Sequence, residues 1–389
     1  MAQKNTIKSF FPYIFGLMAY FVMVFINGLA IGEYIEIKNI SFTDRDNIEF
    51  LKVIGYIIAS VALLVLIRFV GLLKLIASAL ILHFISVFSI IFMDVGHKVM
   101  LLYFVIYSSS SLTVMMLMLG YFLSEKKLDD NYSLSLYSCS ILFSYVLIIE
   151  LFEHIEFDIG LDITPSKLFM FNLVPIVIFI YTILKYDVYT KNLSIKKYSF
   201  FGVMRNMQLE SMVAFVVFYV VMVIMNGYEL YALAKSFPIL GEEFHGHIML
   251  TAVAMAMIAA PSYISRLNKH KITMYSITLM IVLFTILPLW AEYEAVGDIF
   301  WFVLGVLTYT MLACSLMLLS EKFENINLFI SLAVYAMIGS LGFYCGYITI
   351  EKVEVTLGNN GFVATICFVL FALLVYYVHL FRTLKLYRA

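Results

Sequence analysis

The chain has 389 residues, of which 63% are hydrophobic and 13% charged, and its formal net charge is −1. Soluble domains carry roughly 25% charged residues, so this composition favours a lipid bilayer as the surrounding solvent. The near-neutral charge gives no indication of a nucleic-acid partner. The four cysteines stand in apolar runs without ligand spacing, so neither a disulfide framework nor a metal site is predicted.

Twelve apolar runs follow one another along the chain. A bilayer core of about 30 Å takes about 20 apolar residues per helix, and these runs are too long for strands and lack the alternation of a barrel. We therefore predict an all-α integral membrane protein with twelve transmembrane helices. The predicted spans are about 10–32, 50–67, 73–93, 99–122, 133–153, 168–185, 208–233, 247–264, 272–290, 299–319, 327–349 and 361–381.

The basic residues predict the orientation of these spans. With a cytoplasmic N terminus, 18 of the 25 Lys and Arg residues fall on the cytoplasmic side and 7 on the other side, in line with the positive-inside rule. We predict a multi-pass protein of the cytoplasmic (inner) membrane with both termini in the cytoplasm.

A long basic link separates spans six and seven and divides the chain into two blocks of six spans. Asn27 is matched by Asn226, 199 residues later, and each is followed by glycine. Arg68 is matched by Arg266, 198 residues later, in the equivalent loop. These offsets predict two pseudo-symmetric six-helix halves, a plan known among transporters. The predicted parts are a half at 1–186, a cytoplasmic linker at 187–207 and a half at 208–389.

The loops that carry Arg68 and Arg266 lead to a family. The second reads Ser265-Arg266-Leu267-Asn268-Lys269-His270-Lys271, and the first has Lys74 six residues after Arg68. Twelve spans with such loops resemble the major facilitator superfamily, whose loops carry a Gly-x-x-x-Asp-Arg-x-Gly-Arg-Lys type motif. Here Ser265 stands at the position of the Asp, and Asn268 stands at the position of the second Gly. The resemblance implies alternating access, with Arg68, Lys74, Arg266 and Lys269 in cytoplasmic gating loops.

A second, more local match lies at the start of span six. The segment from Ser166 to Pro175, which includes Asn172, resembles the Trp-Arg-x-x-Phe-x-x-Asn-x-Pro segment of drug:proton antiporters, with one extra residue before the proline. However, span four has no basic residue and span five has neither Gly nor Pro, where those antiporters carry an Arg and a Gly-Pro motif.

The function that follows is secondary active transport of a small organic solute. Export of a drug-like, siderophore-like or metabolite compound is the leading prediction. Metabolite uptake and a transport-inactive receptor or scaffold are the alternatives. Protons are a candidate coupling ion, and a monomer without cofactors is predicted. The sequence has no phosphate loop, nucleophile elbow or HExxH motif, so it does not predict an enzyme.

Polar residues inside apolar runs are the candidates for substrate binding or coupling, because a charge at the bilayer centre costs about 2.5–3.5 kcal/mol on insertion scales. Asn226 and Glu229 share one face of span seven, either in a cavity or at the outer interface. Glu33 ends span one, at a cavity mouth or as a solvated helix end. His83 lies in mid-span three, where bonding to a neighbouring helix is the simpler interpretation.

Span four holds the serine run 108–111, followed by Thr113. Spans one, four, seven and ten line the cavity in the superfamily, so this run is either a polar cavity face or a small-residue packing surface. Tyrosines of spans four and ten could form an aromatic wall for an organic solute. The predicted substrate-binding or coupling residues are Asn27, Glu33, Tyr103, Tyr107, Ser110, Asn226, Glu229 and Tyr309.

Overall fold

The computed structural model describes twelve stretches of the chain, and within them the regular structure is helical. The stretches are 2–38, 42–67, 69–93, 97–124, 130–153, 164–185, 200–229, 244–264, 266–290, 294–324, 326–349 and 354–386. The helices of the first part are α1 (Ala2–Ile37), α2 (Phe42–Leu66), α3 (Leu72–Phe92), α4 (His97–Ser124), α5 (Asp130–Glu153), α6 (Pro165–Phe171) and α7 (Leu173–Lys185). Those of the second part are α8 (Phe200–Asn206), α9 (Gln208–Glu229), α10 (Phe244–Ile264), α11 (Lys269–Trp290), α12 (Glu294–Lys322), α13 (Ile326–Ile348) and α14 (Glu354–Leu386).

Several of these helices are long and apolar enough to cross a membrane. Within the described residues, seven apolar helical segments reach 18 residues or more, with mean hydropathies between 1.5 and 2.5. Four further apolar segments are shorter, among them Phe50–Leu66 in α2 and Gln208–Val223 in α9. Within the described residues, each predicted span falls in a helix, except that span six consists of two helices. The predicted end of span seven, 230–233, lies outside the described residues.

The interruption of span six lies at Asn172, between α6 and α7. Thr164 caps the start of α6, where its hydroxyl accepts a bond from the Lys167 N–H at 3.4 Å and Pro165 occupies the first turn. Pro175 has no N–H to donate to the carbonyl of Phe171, so the helix cannot continue its regular bonding there. The sequence predicted one continuous span; the proline divides it and leaves Asn172 at the junction.

The chain divides into two compact units. The first comprises Met1–Tyr198 with Asn325–Ala333, and the second comprises Ser199–Glu324 with Val334–Ala389. In the first unit, α2 and α3 both pack against α4, and α1 packs against α5, α6 and α7. In the second unit, α10 and α11 both pack against α12, while α9 packs against α12 and α14. Spans two and three therefore surround span four as spans eight and nine surround span ten, which is the packing expected of a repeat.

Close packing of α2 on α4 depends on a glycine. An added Cβ at Gly55 would collide with the Ser108 side chain and lie 2.7 Å from the Val105 carbonyl oxygen. Small residues at such contacts let the backbones of membrane helices approach each other.

Gly55→Ala is therefore expected to destabilise the protein by about 1–3 kcal/mol, because overpacking forces the two helices apart. Thermal unfolding of the purified protein in detergent would measure the loss. Gly32→Ala in α1 is the matched control, since nothing lies within 4 Å of its added Cβ; it should be neutral or stabilising by up to about 1 kcal/mol. Equal unfolding temperatures for the two variants would contradict the assigned packing.

Candidate functional site

A buried polar cluster joins four spans in the interior of the first unit. The Nδ2 of Asn27 in α1 lies 2.7 Å from Nε2 of His83 in α3. The other imidazole nitrogen, Nδ1, lies 2.9 Å from Oγ of Ser111 in α4. From the break in span six, Asn172 donates its Nδ2 hydrogen to Oδ1 of Asn27. All four side chains are buried, and we call them the amide–imidazole cluster.

The donors and acceptors of this cluster define one protonation state. Asn27 accepts a hydrogen bond at Oδ1, so its Nδ2 is the group that faces His83 and donates to it. Nε2 of His83 must then be unprotonated, and the ring is the neutral tautomer that carries its hydrogen on Nδ1 and donates to Ser111. The oxygen Oδ1 of Asn172 is buried and has no hydrogen-bond partner among the described residues.

Two tyrosines border the cluster. The ring of Tyr107 in α4 lies 5.0 Å from the His83 ring, and Tyr107 itself is half-buried. The hydroxyl of Tyr20 in α1 donates to the main-chain carbonyl of Ser111 at 3.0 Å. Both rings bring a polar hydroxyl and a large apolar face to the same region.

Such a cluster can bind hydrogen-bonding groups or a proton. Buried polar side chains in a membrane are costly unless paired, and residues of this kind tend to mark substrate or ion pathways. Bonds between membrane helices average only about 0.6 kcal/mol in double-mutant cycles. Packing alone does not require four polar side chains from four spans, so the cluster is the candidate functional site of the first unit.

The serine run of α4 serves several neighbours. The hydroxyl of Ser109 donates to the Gly55 carbonyl of α2 at 2.8 Å, and Ser111 faces His83. Ser108 and Ser110 donate to carbonyls of their own helix, those of Phe104 and Tyr107. The run is thus a packing surface at Ser108 and Ser109 and part of the cluster at Ser111, while the Ser110 hydroxyl is held within α4.

The structure brings some of the predicted site residues together and separates others. Asn27 is a member of the cluster and Tyr107 borders it. Tyr103 is half-buried one turn before Tyr107, Glu33 is half-buried in the last turns of α1, and Tyr309 is buried in α12 of the second unit. Asn226 and Glu229 belong to the last two turns of α9, and their side chains lie outside the described residues.

Among the predicted gating residues, Lys269 has a defined partner. Its Nζ lies 2.7 Å from Oε1 of Glu321 at the end of α12. Arg266 is exposed in the turn before α11, and Lys74 is exposed in the first turn of α3. Arg68 lies outside the described residues.

Asn268, just before α11, and His270, in its first turn, position this helix. Asn268 accepts a bond from the Lys271 N–H at 3.2 Å through Oδ1, as residues that cap helix starts do. His270 places Nδ1 3.0 Å from the hydroxyl of Tyr377 in α14. Asn268 stands where the resembled motif has its second Gly. Its bond to the start of α11 is a local structural reason for an Asn at this position.

A buried ion pair lies close by in the second unit. Glu210, in the first turn of α9, is fully buried and pairs with Lys322 at the end of α12. Lys322 also donates to the Asn206 carbonyl of α8 at 3.4 Å. The carboxylate sits near a helix N terminus and the ammonium near a helix C terminus, which favours both charges. This pair holds α12 against the α8–α9 junction.

An apolar groove of about 500 Å³ occurs in the first unit between α1, α3 and α7. It is lined by aliphatic and aromatic side chains, and Ile81, Ile85 and Ile180 at its edge are exposed. Its chemistry suits contact with lipid tails, so the amide–imidazole cluster remains the better candidate for a polar ligand.

Comparison with solved structures decides the fold. The proton:xylose symporter XylE, bound to 6-bromo-6-deoxy-D-glucose, matches with a TM-score of 0.70 and 14% identity over 98% of this chain and 96% of that chain. The transporter FucP in its outward conformation matches with a TM-score of 0.69 and 11% identity over 95% of this chain and 98% of that chain. This chain has the major facilitator superfamily fold.

A further match with the same fold is the human organic anion transporter MFSD10 (TETRAN), with a TM-score of 0.66 and 10% identity over 97% of this chain and 99% of that chain. By sequence, the chain is 22% identical over 395 residues to "Uncharacterized protein RP255" of Rickettsia prowazekii (strain Madrid E), with 100% of each chain covered. No protein-family model matches the sequence. The predicted resemblance to the superfamily and the predicted twelve-helix architecture are confirmed.

Three members of the amide–imidazole cluster were absent from the predicted site. His83 had been interpreted as a helix-bonding residue, Asn172 as part of a sequence match, and Ser111 as one serine among four. The available signal was that each is polar and lies within an apolar run, with His83 and Ser111 near its middle and Asn172 near its start. Sequence alone does not indicate that the three meet.

Proposed function

We propose that the chain is a secondary active transporter that moves a small organic solute across a membrane by alternating access. The observation that carries this proposal is the amide–imidazole cluster, a set of buried hydrogen-bonding groups drawn from four spans of one unit. A fold used by symporters of xylose and fucose and by an organic anion transporter supports the same conclusion.

The described groups of the cluster favour a solute with hydroxyl, carbonyl or amide functions. The cluster offers an imidazole, two carboxamides and a hydroxyl, and the phenols of Tyr107 and Tyr20 lie beside it. Such neutral donors and acceptors pair well with uncharged polar groups. The half-buried Tyr107 ring adds an apolar face, which suits a compact organic molecule with both characters.

Export is the proposed direction, because the segment that resembles drug:proton antiporters contributes Asn172 to the cluster. Uptake is the second candidate, since two proteins of the same fold are named as proton symporters of sugars. The halves at 1–186 and 208–389 would rock about a midplane site. The protein would act as a monomer in the cytoplasmic membrane, with both termini in the cytoplasm.

Counterflow in proteoliposomes tests this function. Vesicles loaded with one unlabelled compound at a time, from a panel of sugars, polyols, organic acids and drug-like amines, would be given the same labelled compound outside. We expect transient accumulation for at least one uncharged polar compound and its loss in Asn27→Leu. Ser60→Ala is the matched control, because among the described contacts the Ser60 hydroxyl donates to the Tyr56 carbonyl of its own helix alone. If no compound exchanged, a receptor or scaffold would replace the transporter as the preferred function.

A further inference from the structure

We infer that His83 is a proton-binding site whose occupancy is read out by the amide groups of Asn27 and Asn172. The inference rests on the proposed function only for its role in coupling; proton binding itself requires no solute. Its basis is the accounting of donors and acceptors within the amide–imidazole cluster.

In the observed arrangement, each hydrogen bond of the cluster has one possible donor and one possible acceptor. Asn172 donates to Asn27, Asn27 donates to Nε2 of His83, and Nδ1 of His83 donates to Ser111. The unprotonated nitrogen of His83 is thus Nε2, and its lone pair accepts a hydrogen bond from Nδ2 of Asn27. Nε2 is therefore the one ring atom at which a proton would bind.

Protonation reverses two of these links. When Nε2 takes a proton from a hydronium ion, an N–H bond forms, a water molecule is released, and Nε2 becomes a donor that faces the Nδ2 donor of Asn27. Asn27 must then turn its amide to present Oδ1. Its Nδ2 would next face the Nδ2 of Asn172, which must turn as well and accept through Oδ1. The bond from Nδ1 to Ser111 is unaffected.

The structure leaves room for this second arrangement. Oδ1 of Asn172 has no hydrogen-bond partner among the described residues, so no described bond opposes its rotation toward Asn27. The cluster has the same number of hydrogen bonds before and after the two amide groups rotate. The amide–imidazole cluster therefore has two hydrogen-bond patterns with equal numbers of bonds, one for neutral and one for protonated His83.

The second pattern ends at the break in span six. Asn172 lies between α6 and α7, where the carbonyl of Asn172 accepts from the Ile176 N–H at 3.1 Å and its own N–H donates to Phe169 at 3.2 Å. Its side chain is the described hydrogen-bond link from this junction to α1. A change of protonation in α3 thus alters the bonding that joins α1 to the one interrupted span of the described first unit.

The titratable groups around His83 are weakly acidic or distant. From α4, the ring centroid of Tyr107 lies 5.0 Å from that of His83, with the two planes tilted by 36°. From α1, the Tyr20 hydroxyl donates to the Ser111 carbonyl. The titratable residue of α6, Lys167, is exposed in its first turn, and Glu33 follows Asn27 by six residues along α1. No carboxylate or ammonium is among the described contacts of His83. No described group neutralises the positive charge of protonated His83. Whether the proton stays bound therefore depends on whether water or solute reaches the imidazole.

Nitrogen-15 NMR of the purified wild-type protein, labelled at histidine and asparagine, tests the site without any solute. His83→Gln assigns the His83 signals among those of the seven histidines. We expect a single Nδ1–H tautomer at alkaline pH and two protonated nitrogens at acid pH, with the Asn27 and Asn172 amide signals shifting in the same transition. A ring that stays neutral down to the pH of unfolding, or amides that do not follow it, would overturn the proposal.

Once a solute is known, gradient-driven transport gives a second, separate readout. With one proton coupled to one solute, a gradient of one pH unit sustains about a tenfold concentration ratio in the wild type. His83→Gln keeps hydrogen-bonding groups but cannot be protonated near neutral pH, so it should equilibrate the solute with a ratio near one. If it still sustained the wild-type ratio, His83 would not be the coupling site. Failure of counterflow with a positive NMR titration would count against transport and not against proton binding.

Discussion

Replacing Lys322 by methionine is expected to destabilise the second unit by about 3–5 kcal/mol, because it leaves the carboxylate of Glu210 buried without its cation. Glu210 is fully buried, and its Oε2 has no hydrogen-bond partner among the described residues. Lys322 is the cation that pairs with it, and Lys322 retains 18% side-chain exposure. The cost of a lost partner is therefore much larger for the glutamate than for the lysine.

This asymmetry is measurable by thermal unfolding in detergent. Glu210→Gln should cost considerably less than Lys322→Met, since the exposed part of the lysine lets its ammonium reach water while the amide remains an acceptor. The double variant should recover most of the stability lost in Lys322→Met, because it removes the unpaired charge.

The pair formed by Lys269 and Glu321 is the matched control for the buried pair. The side chain of Glu321 is 50% exposed, and exposed ion pairs contribute about 0–1 kcal/mol. Glu321→Gln should therefore leave the unfolding temperature almost unchanged. An effect of Lys322→Met no larger than that of Glu321→Gln would show that Glu210 is solvated or neutral in the folded protein.

Replacing Asn27 by leucine is expected to be the most damaging single change in the amide–imidazole cluster. Asn27 is the residue that two other members contact, so its loss leaves both Nε2 of His83 and Nδ2 of Asn172 without their present partners. An unsatisfied buried polar group costs about 1–3 kcal/mol. The expected loss of stability is therefore roughly twice that of a change that strands one group.

Asn172→Leu provides that single-loss comparison, because it removes only the bond to Asn27. In the double variant Asn27→Leu/Asn172→Leu, the second substitution should add little, since Asn172 no longer has Asn27 to contact. Unfolding temperatures of the three variants and of the Ser60→Ala control complete the cycle. Additive losses for the two asparagines would contradict their direct contact.

The twelve spans could be predicted because each depends on local composition. An apolar run of about 20 residues is stable as a helix in lipid whatever its neighbours are, since all its backbone groups pair within the helix. Pro175 is a local signal for the division of span six, since a proline kinks or ends a helix. The Thr164–Pro165 start of α6 is likewise a local signal.

The candidate site was predictable only in part, and the sequence separations explain why. Asn27 was predicted as a polar residue inside an apolar run, which is a property of the sequence. Its partners His83 and Asn172 lie 56 and 145 residues away, and Ser111 lies 28 residues from His83. Taken alone, each of these residues is as consistent with a packing role as with a role in the site.

The sequence by itself determined the membrane environment, the helix number and the superfamily resemblance, because these follow from hydropathy, run length and short motifs. Tertiary structure decided which polar side chains satisfy one another. A hydrogen bond needs two groups within about 3 Å, and only the packing of α1, α3, α4 and the α6–α7 junction brings the members of the amide–imidazole cluster to that distance.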